Sequence, residues 1–352
     1  MPDVHKILLV GCGRICKKHI EALQELIAVG VPISICGTVD PLEERASHFA
    51  DLLSCPSFKS VTEAIQSVEF NTAVIMTPSG THATLGIQLA PYTENLIIEK
   101  PIALNLSEVD VLIDTSLRLS TKIYVVKQNR FNPAVKYLKH RLDGGDFGDV
   151  SLATVRVRWC RSQEYYDSAS WRGTWRLDGG VLANQASHHI DLLQWMFGDV
   201  VTVASMTGNP MVKIEAEDTA GVLLKFRSGV LGIIEATTSA RPSDIEGSIS
   251  VLGSKGLVII GGKAVNRVEL DTLPPSNYQD KRSVEASPAD VYGFGHKQFY
   301  SILFSDNADK SLLVDGLEGR RSIELIQAIY ESIESRSFVD LSFRSKYSRL
   351  GS

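Results

Sequence analysis

Hydrophobic positions follow two different rhythms along this chain. Up to residue 128, short uninterrupted apolar runs alternate with stretches of helical spacing. Lys6-Ile7-Leu8-Leu9-Val10 is one such run, the pattern of a strand buried on both faces of a parallel sheet. Residues 15–28 read as a helix, residues 33–39 as a second strand ending at Asp40-Pro41, and residues 42–51 as a second helix. Further strands are expected at 72–76, 96–98 and 123–126, with helical spacing over 81–90 and 107–120. Strand and helix alternating at this pitch predict an α/β domain with a doubly wound parallel sheet.

Beyond Asn129 the rhythm changes. A helix over 133–141 is stopped by Asp143-Gly144-Gly145, and residues 150–160 then alternate strictly, as in an antiparallel strand with one solvated face. Similar strands recur around 200–206, 219–227, 230–237, 248–252 and 256–260. These runs predict a C-terminal α+β domain with a large, mostly antiparallel open sheet. The expected division is a dinucleotide-binding domain over 1–128 and a substrate and oligomerisation domain over 129–352. Residues 273–289, polar and proline-bearing, read as a loop or lid, and 316–335 as a closing amphipathic helix. There is no internal repeat.

The bulk properties narrow the class. A length of 352 residues allows two buried cores, and 44% hydrophobic with 22% charged residues is ordinary for a globular protein. The net charge of −5 argues against nucleic acid as the partner, while leaving room for a local arginine cluster. No apolar stretch reaches the ~20 residues of a membrane helix. The start, Met1-Pro2-Asp3-Val4-His5-Lys6, lacks a signal-peptide pattern, so a cytoplasmic protein without a membrane partner is expected. The five cysteines are scattered and form no CxxC pair; neither a disulfide framework nor a metal site is expected.

Candidate chemistry begins with Gly11-Cys12-Gly13-Arg14-Ile15-Cys16, which joins the first strand to the first helix. Two glycines permit a tight turn and a close backbone approach to a pyrophosphate seated on the helix N-terminus. Cys16 replaces the usual third glycine. Asp40, ending the second strand, suits the ribose hydroxyls of an adenosine and would repel a 2′-phosphate, which favours NAD over NADP. The plainer reading of Asp40 is a helix cap.

Glu99-Lys100-Pro101 follows an apolar strand whose end faces the ligand crevice of such a sheet. A lysine there can donate to a reacting hydroxyl or carbonyl oxygen, although alone the pair reads as a surface salt bridge. The second group is Asn184-Gln185-Ala186-Ser187-His188-His189-Ile190-Asp191, preceded by Asp178-Gly179-Gly180. His188 and Asp191 share a helix face and Asn184 lies one turn before His188, which puts an amide and a carboxylate within expected reach of the imidazole to set its tautomer. His189 reads as a packed helix residue.

The glycine turn, Thr77-Pro78-Ser79-Gly80-Thr81-His82, Glu99-Lys100-Pro101 and Gly179 followed by His188-His189-Ile190-Asp191 together resemble the glucose–fructose oxidoreductase/inositol dehydrogenase (Gfo/Idh/MocA) family, and the resemblance extends to Gly316-Leu317-Glu318-Gly319-Arg320-Arg321. It implies a Rossmann domain holding NAD, with Thr77, Pro78, Ser79, His82, Glu99 and Gln128 joining Gly11, Cys12, Gly13, Arg14, Ile15 and Asp40 along the cofactor. It implies Lys100 beside the nicotinamide and His188 as its acid/base partner. The family more often carries aspartate at the position of Asn184.

Lys127-Gln128-Asn129-Arg130-Phe131-Asn132-Pro133, Val155-Arg156-Val157-Arg158-Trp159-Cys160-Arg161 and Trp171-Arg172-Gly173-Thr174-Trp175 are similar to one branch of that family, the bacterial UDP-N-acetylglucosaminuronate 3-dehydrogenases. That likeness implies oxidation at carbon 3 of a nucleotide sugar acid for surface polysaccharide, lipopolysaccharide included. Arginine forks suit a diphosphate and a carboxylate. Arg130, Arg161 and Arg172 are therefore substrate candidates, with Lys100, Asn184 and His188 at the reacting end; Tyr165, Tyr166 and Trp171 read equally as stacking partners of a base or sugar and as domain packing. Arg156 and Arg158 read equally well as a subunit interface or solvated sheet face. Two other readings stand beside this one: oxidation of a free sugar or polyol such as inositol, and a non-catalytic NAD-binding sensor. An open sheet face is usually covered, so a homodimer or homotetramer is expected.

Overall fold

The computed structural model describes residues 4–275, 278 and 295–341. Its N-terminal sheet is built from the apolar runs. Strands β1 (His5–Val10), β2 (Ile33–Val39), β3 (Ser57–Phe58), β4 (Thr72–Ile75), β5 (Asn95–Ile98) and β6 (Lys122–Val125) are parallel, in spatial order β3-β2-β1-β4-β5-β6. The order reverses between β1 and β4, and that switch point opens the crevice where such sheets bind ligands. Val314–Asp315 adds an antiparallel edge beside β6.

The period of two along each strand divides the core into two layers. Leu8, Val10, Ile75, Leu96 and Ile98 belong to the layer that includes residues of α4 (His82–Leu89) and α5 (Leu106–Leu119); Ile7, Leu9, Val74 and Ile97 belong to the layer of α1 (Arg14–Ala28). Helices α2 (Glu43–Leu53) and α3 (Val61–Ser67) complete this half. The short α3, capped by the Ser60 hydroxyl, has no counterpart among the predicted elements.

After α6 (Pro133–Asp143) the second sheet begins. It comprises β7 (Val150–Arg158), β8 (Val200–Gly208), β9 (Thr219–Phe226), β10 (Leu231–Thr237), β11 (Glu246–Gly253), β12 (Gly256–Gly261) and β13 (Arg267–Asp271). The order is β13-β12-β11-β7-β10-β9-β8, antiparallel except where β7 meets β10, and Val339–Asp340 extends it beyond β8. Alternation holds: Ala153, Val155 and Val157 are buried, while Leu223, Leu231 and Leu252 are exposed. Those three share one face, because Leu231 and Leu252 both register with Leu152, and Leu223 registers with Ile233 on Leu231's side of β10.

The other face is covered by α8 (Ser187–Phe197) and α10 (Gly316–Ser335), the latter spanning the full predicted range. The remaining helices are α7 (Gln163–Asp167) and α9 (Gly295–Leu303). No helix among the described residues is long and apolar enough to cross a membrane. Most of the loop or lid expected at 273–289 lies outside the described residues.

Candidate active site

The strand ends of β1, β2, β4 and β5 converge on the crevice. Gly11 has φ of +95°, donates its N–H to the Val39 carbonyl at 2.8 Å, and lies so close to β4 that a Cβ would sit 2.7 Å from the Met76 carbonyl carbon. Only glycine fits there. A Cβ on Gly13 would meet nothing within 4 Å, and the first turn of α1 has no side-chain cap. Open space over uncapped N–H groups is the cradle a pyrophosphate requires. Cys16 is fully buried and takes the packing place of the third glycine.

Asp40 is buried, with one oxygen accepting from the Cys12 N–H and the other from the Leu42 N–H, both at 2.9 Å. It both caps the following turn, as the plainer reading has it, and ties the glycine loop to β2. These features fit a dinucleotide. Ile15 is half-buried on the first turn of α1, and Thr77, Pro78 and Ser79 line the end of β4, the Thr77 hydroxyl sharing a 2.7 Å bond with Thr81. His82 departs from its expected role. Its ring is buried between the carbonyls of Pro101 at 2.7 Å and Thr77 at 2.8 Å, and its one N–H donates to one of them, so the ring sits between these two loops.

The Glu99–Lys100 pair is not a surface salt bridge. Glu99 is buried, accepts from Nε2 of His19 at 2.9 Å, and has His296 Nε2 at 3.5 Å. His19 Nδ1 bonds the Tyr300 hydroxyl at 2.6 Å. With that hydroxyl donating to Nδ1, the neutral ring donates Nε2–H to Glu99. Burial favours the neutral imidazole of His19, and its donation with that of His296 holds the Glu99 carboxyl well below the usual range despite desolvation. Glu99 also accepts from the Lys100 N–H at 3.1 Å. Its carboxylate therefore braces the lysine backbone, which corrects its assignment as a direct cofactor ligand.

Freed from Glu99, the Lys100 side chain crosses to the other half of the molecule and donates to the backbone carbonyl of Asn184 at 2.7 Å. Burial lowers its pKa, partly offset by the charges of Glu99 and Asp178. Asn184 lies in a π-helical turn, Val181–Gln185, closed by Ala186 N–H to Val181 O at 2.7 Å. Such turns recur at functional sites. The Asn184 amide donates to Asp178, whose carboxyl burial pushes up.

His188 begins α8 and is buried. Desolvation, then the nearby charges of Lys100 and Lys127, hold its pKa well below 6.5, so its imidazole is neutral. Lys100 and His188 thus approach one locality from opposite halves of the chain. The ring's partner is Gln128, whose amide nitrogen lies 3.0 Å from Nε2. The expected tautomer-setting roles of Asn184 and Asp191 are not realised: Asn184 is turned to Asp178, and Asp191 is claimed by cations. Asp191 receives both prongs of Arg130, at 2.8 and 2.9 Å, with Lys127 Nζ at 3.3 Å.

That pairing overturns the substrate role of Arg130. The side chain is 2% exposed, and its remaining nitrogen donates to Glu318 at 2.7 Å. A buried guanidinium costs too much to leave unpaired, and two carboxylates of the same chain neutralise it.

Arg161 and Arg172 remain by the crevice. Together with Arg14 they surround one ring: their guanidinium carbons lie 5.4, 4.1 and 5.9 Å from the centroid of Tyr165. Arg172 also stacks over Trp171 at 4.6 Å, and its Nε is buried without a hydrogen-bond partner. Arg161 is partly occupied by Asp244 at 2.9 Å and Gln185 at 3.1 Å. Of the two tyrosines, Tyr165 is the one that faces these arginines. Tyr166 is buried, with its hydroxyl on Thr238 at 3.1 Å, and does not reach the cleft as expected. Arg156 and Arg158 lie on the open sheet face, paired with Glu235 and Glu246.

Sequence reasoning missed His19, Tyr300, His296 and Glu217. The three-residue step from Lys17-Lys18 to Glu21 makes His19's stretch look like a solvated helix surface, and α9 lacked any flanking signal. Asp178 carries no signal in the sequence beyond its place beside Gly179-Gly180.

The sequence matches the Oxidoreductase family, NAD-binding Rossmann fold, over residues 5–127, and the Oxidoreductase family, C-terminal alpha/beta domain, over residues 139–341. The structure is similar to the WlbA dehydrogenase of Bordetella pertussis in complex with NADH and UDP-GlcNAcA, with a TM-score of 0.88 and 32% identity, covering 97% of this chain and 100% of that one. A WlbA dehydrogenase of Chromobacterium violaceum with the same two ligands gives a TM-score of 0.88 and 33% identity over 98% and 99% of the two chains. The myo-inositol 2-dehydrogenase of Thermotoga maritima is 26% identical over 260 residues, 72% of this chain and 74% of that protein.

Proposed function

The chain belongs to the Gfo/Idh/MocA oxidoreductase family, with NAD as cofactor, and from that premise we propose that it oxidises the carbon 3 hydroxyl of UDP-N-acetylglucosaminuronic acid to the ketone. The observation that carries the choice of an anionic nucleotide sugar is the gathering of Arg14, Arg161 and Arg172 about Tyr165, with the Arg172 Nε left unpaired. A buried donor without a partner is costly, and a diphosphate or carboxylate oxygen would satisfy it. Full-length likeness to WlbA dehydrogenases solved with UDP-GlcNAcA supports the same choice.

In this reading His188 takes the hydroxyl proton. Its imidazole is neutral because burial and two neighbouring ammonium groups disfavour the charged form, and a neutral ring is what a base requires. The substrate hydroxyl would take the place of the Gln128 amide at Nε2. Lys100, held by the Asn184 carbonyl, donates to the oxygen as negative charge builds on it. NAD, when bound, would supply the hydride acceptor for the same carbon. Gln128 and Asp178 orient the two groups without exchanging protons with the substrate.

A free polyol is the competing substrate, in keeping with the myo-inositol relative. It would offer the arginines only neutral hydroxyl oxygens, without the charge-assisted bonds of a diphosphate or carboxylate. The exposed face bearing Leu223, Leu231 and Leu252 is proposed as the contact between copies of the chain, and residues 129–352 as the half that carries both substrate and that contact.

The test is NADH formation across UDP-sugars with and without a uronic carboxylate, beside free inositol. Turnover is expected with the UDP-uronic acid, and Arg172→Ala raises its KM by about tenfold or more, the worth of a charge-assisted hydrogen bond. Turnover of inositol with no response to UDP-sugars would refute the assignment.

A further inference from the structure

The π turn that carries Asn184 is anchored from outside the cleft. The first amides of a helical turn have no partner within it. Here Leu182 N–H donates to Glu217 Oε1 at 2.9 Å, Val181 N–H to the Glu217 carbonyl at 2.8 Å, and Gly180 N–H to the Tyr330 hydroxyl at 3.3 Å. That hydroxyl itself donates to Glu217 Oε1 at 2.9 Å. Three consecutive amides are thus satisfied by two residues, one preceding β9 and one on α10.

The fit is close. A Cβ on Gly180 would meet the Glu217 carboxyl carbon at 2.2 Å, so the carboxyl can sit there only because position 180 is glycine. Glu217 is 4% exposed, and its Oε2 has no partner. Glu217 lines a pocket of about 240 Å³ whose lining includes Trp175, Glu215 and Glu334 and no lysine or arginine.

We propose that Glu217 and Tyr330 are positioning residues that set the register of the π turn and, through the Asn184 carbonyl, the place of Lys100. The proposal rests on the reading of Lys100 and His188 as the reacting pair. A carboxylate serves this purpose well because negative charge is favoured at the N-terminal end of a helical turn, and both donors on Oε1 bind the ionised form more strongly.

The device is also sensitive to pH. Burial, and then the charge of the adjoining Asp218, push the Glu217 carboxyl up to about 7, against the pull of the Leu182 N–H and the Tyr330 hydroxyl. Glu215 and Glu334 line the same pocket, and its lining holds no lysine or arginine. Protonation below that pH weakens the grip on the turn. It is distinct from the titration of His188, which lies lower.

The test uses the full chain, with NADH bound for exchange and with NAD for turnover, in four forms: wild type, Glu217→Ala, Glu217→Gln and Tyr330→Phe. Hydrogen exchange at the Leu182 amide is read without substrate. It is expected to rise by about tenfold in Glu217→Ala and less in Tyr330→Phe, while amides of α1 stay unchanged. With substrate, kcat of Glu217→Ala falls by about tenfold with little change in the KM for NAD. Wild-type kcat shows a limb near pH 7 that is absent in Glu217→Gln, which keeps an acceptor for Leu182. Wild-type exchange in Glu217→Ala, or a surviving limb in Glu217→Gln, overturns the proposal. Should Glu217→Ala not fold, Glu217→Gln and Tyr330→Phe decide it alone. Full turnover in Lys100→Ala would instead defeat the catalytic reading, leaving the exchange result to stand by itself.

Discussion

Lys100 and Asn184, 84 residues apart in sequence, are joined by a 2.7 Å hydrogen bond from the lysine ammonium to the asparagine's backbone carbonyl. The contact ties the nucleotide domain to the turn leading into His188. The lysine depends on the path of the backbone at 184, and the asparagine side chain influences it indirectly, by bonding Asp178.

Replacing Asn184 by aspartate should therefore act through Asp178. Two carboxyl groups would then face each other where one is already pushed up by burial, and they can be accommodated only by sharing a proton. Asn184→Asp is expected to lose turnover relative to wild type as pH rises, by about tenfold or more once both groups ionise and the turn is forced apart. A pH profile parallel to wild type would show that the side chain does not bear on the lysine.

The Arg130–Asp191 pair makes a second prediction. Both partners are nearly solvent-free, and Lys127 shares the carboxylate. Asp191→Asn leaves two buried cations facing a neutral amide, at a cost on the order of 3–5 kcal/mol. The urea midpoint should fall accordingly, along with the ordering of Gln128, which follows Lys127 directly and bonds His188. An unchanged midpoint would mean that the network is not holding the two halves together.

These contacts also mark how much could be read from the chain alone. Strands β1, β4 and β5 were legible because a strand buried on both faces must be apolar throughout, and the sheet of the second half because one solvated face enforces alternation. Gly11, Asp40, Lys100 and His188 stood out because each sits at a strand or helix end where chemistry has a reason to be. Arg130 misled for an equally physical reason. A guanidinium next to a crevice looks like an anion receptor until its partners appear, and these lie 61 and 188 residues away. The same distance hid Glu99's partners, 80 and 197 residues off. Asp191 was placed rightly on the helix of His188, but the direction of its carboxylate was set by tertiary pairing.

His189 offers a thermodynamic test beside the reaction. Its ring is fully buried with neither nitrogen hydrogen-bonded, and burial lowers its pKa from 6.5 to about 4. In that interval the unfolded chain takes up a proton that the folded chain refuses, so stability falls as pH drops from 6.5 to about 4. The loss amounts to about 3 kcal/mol for this residue. In His189→Leu the decline of unfolding free energy over that range should be shallower by about that amount, measured by urea titration at several pH values. An identical slope in both proteins would contradict the burial of a neutral imidazole.

The central claim is that an amine from one half of the chain and an imidazole from the other serve a single substrate hydroxyl. Its most direct test is single-turnover NADH formation from bound NAD and UDP-N-acetylglucosaminuronic acid in Lys100→Met and His188→Asn. Each variant should lose about 10²–10⁴-fold in rate while binding NADH as wild type does, and the double variant should lose little more than either alone. Rates near wild type in either variant, or losses that simply multiply, would contradict it.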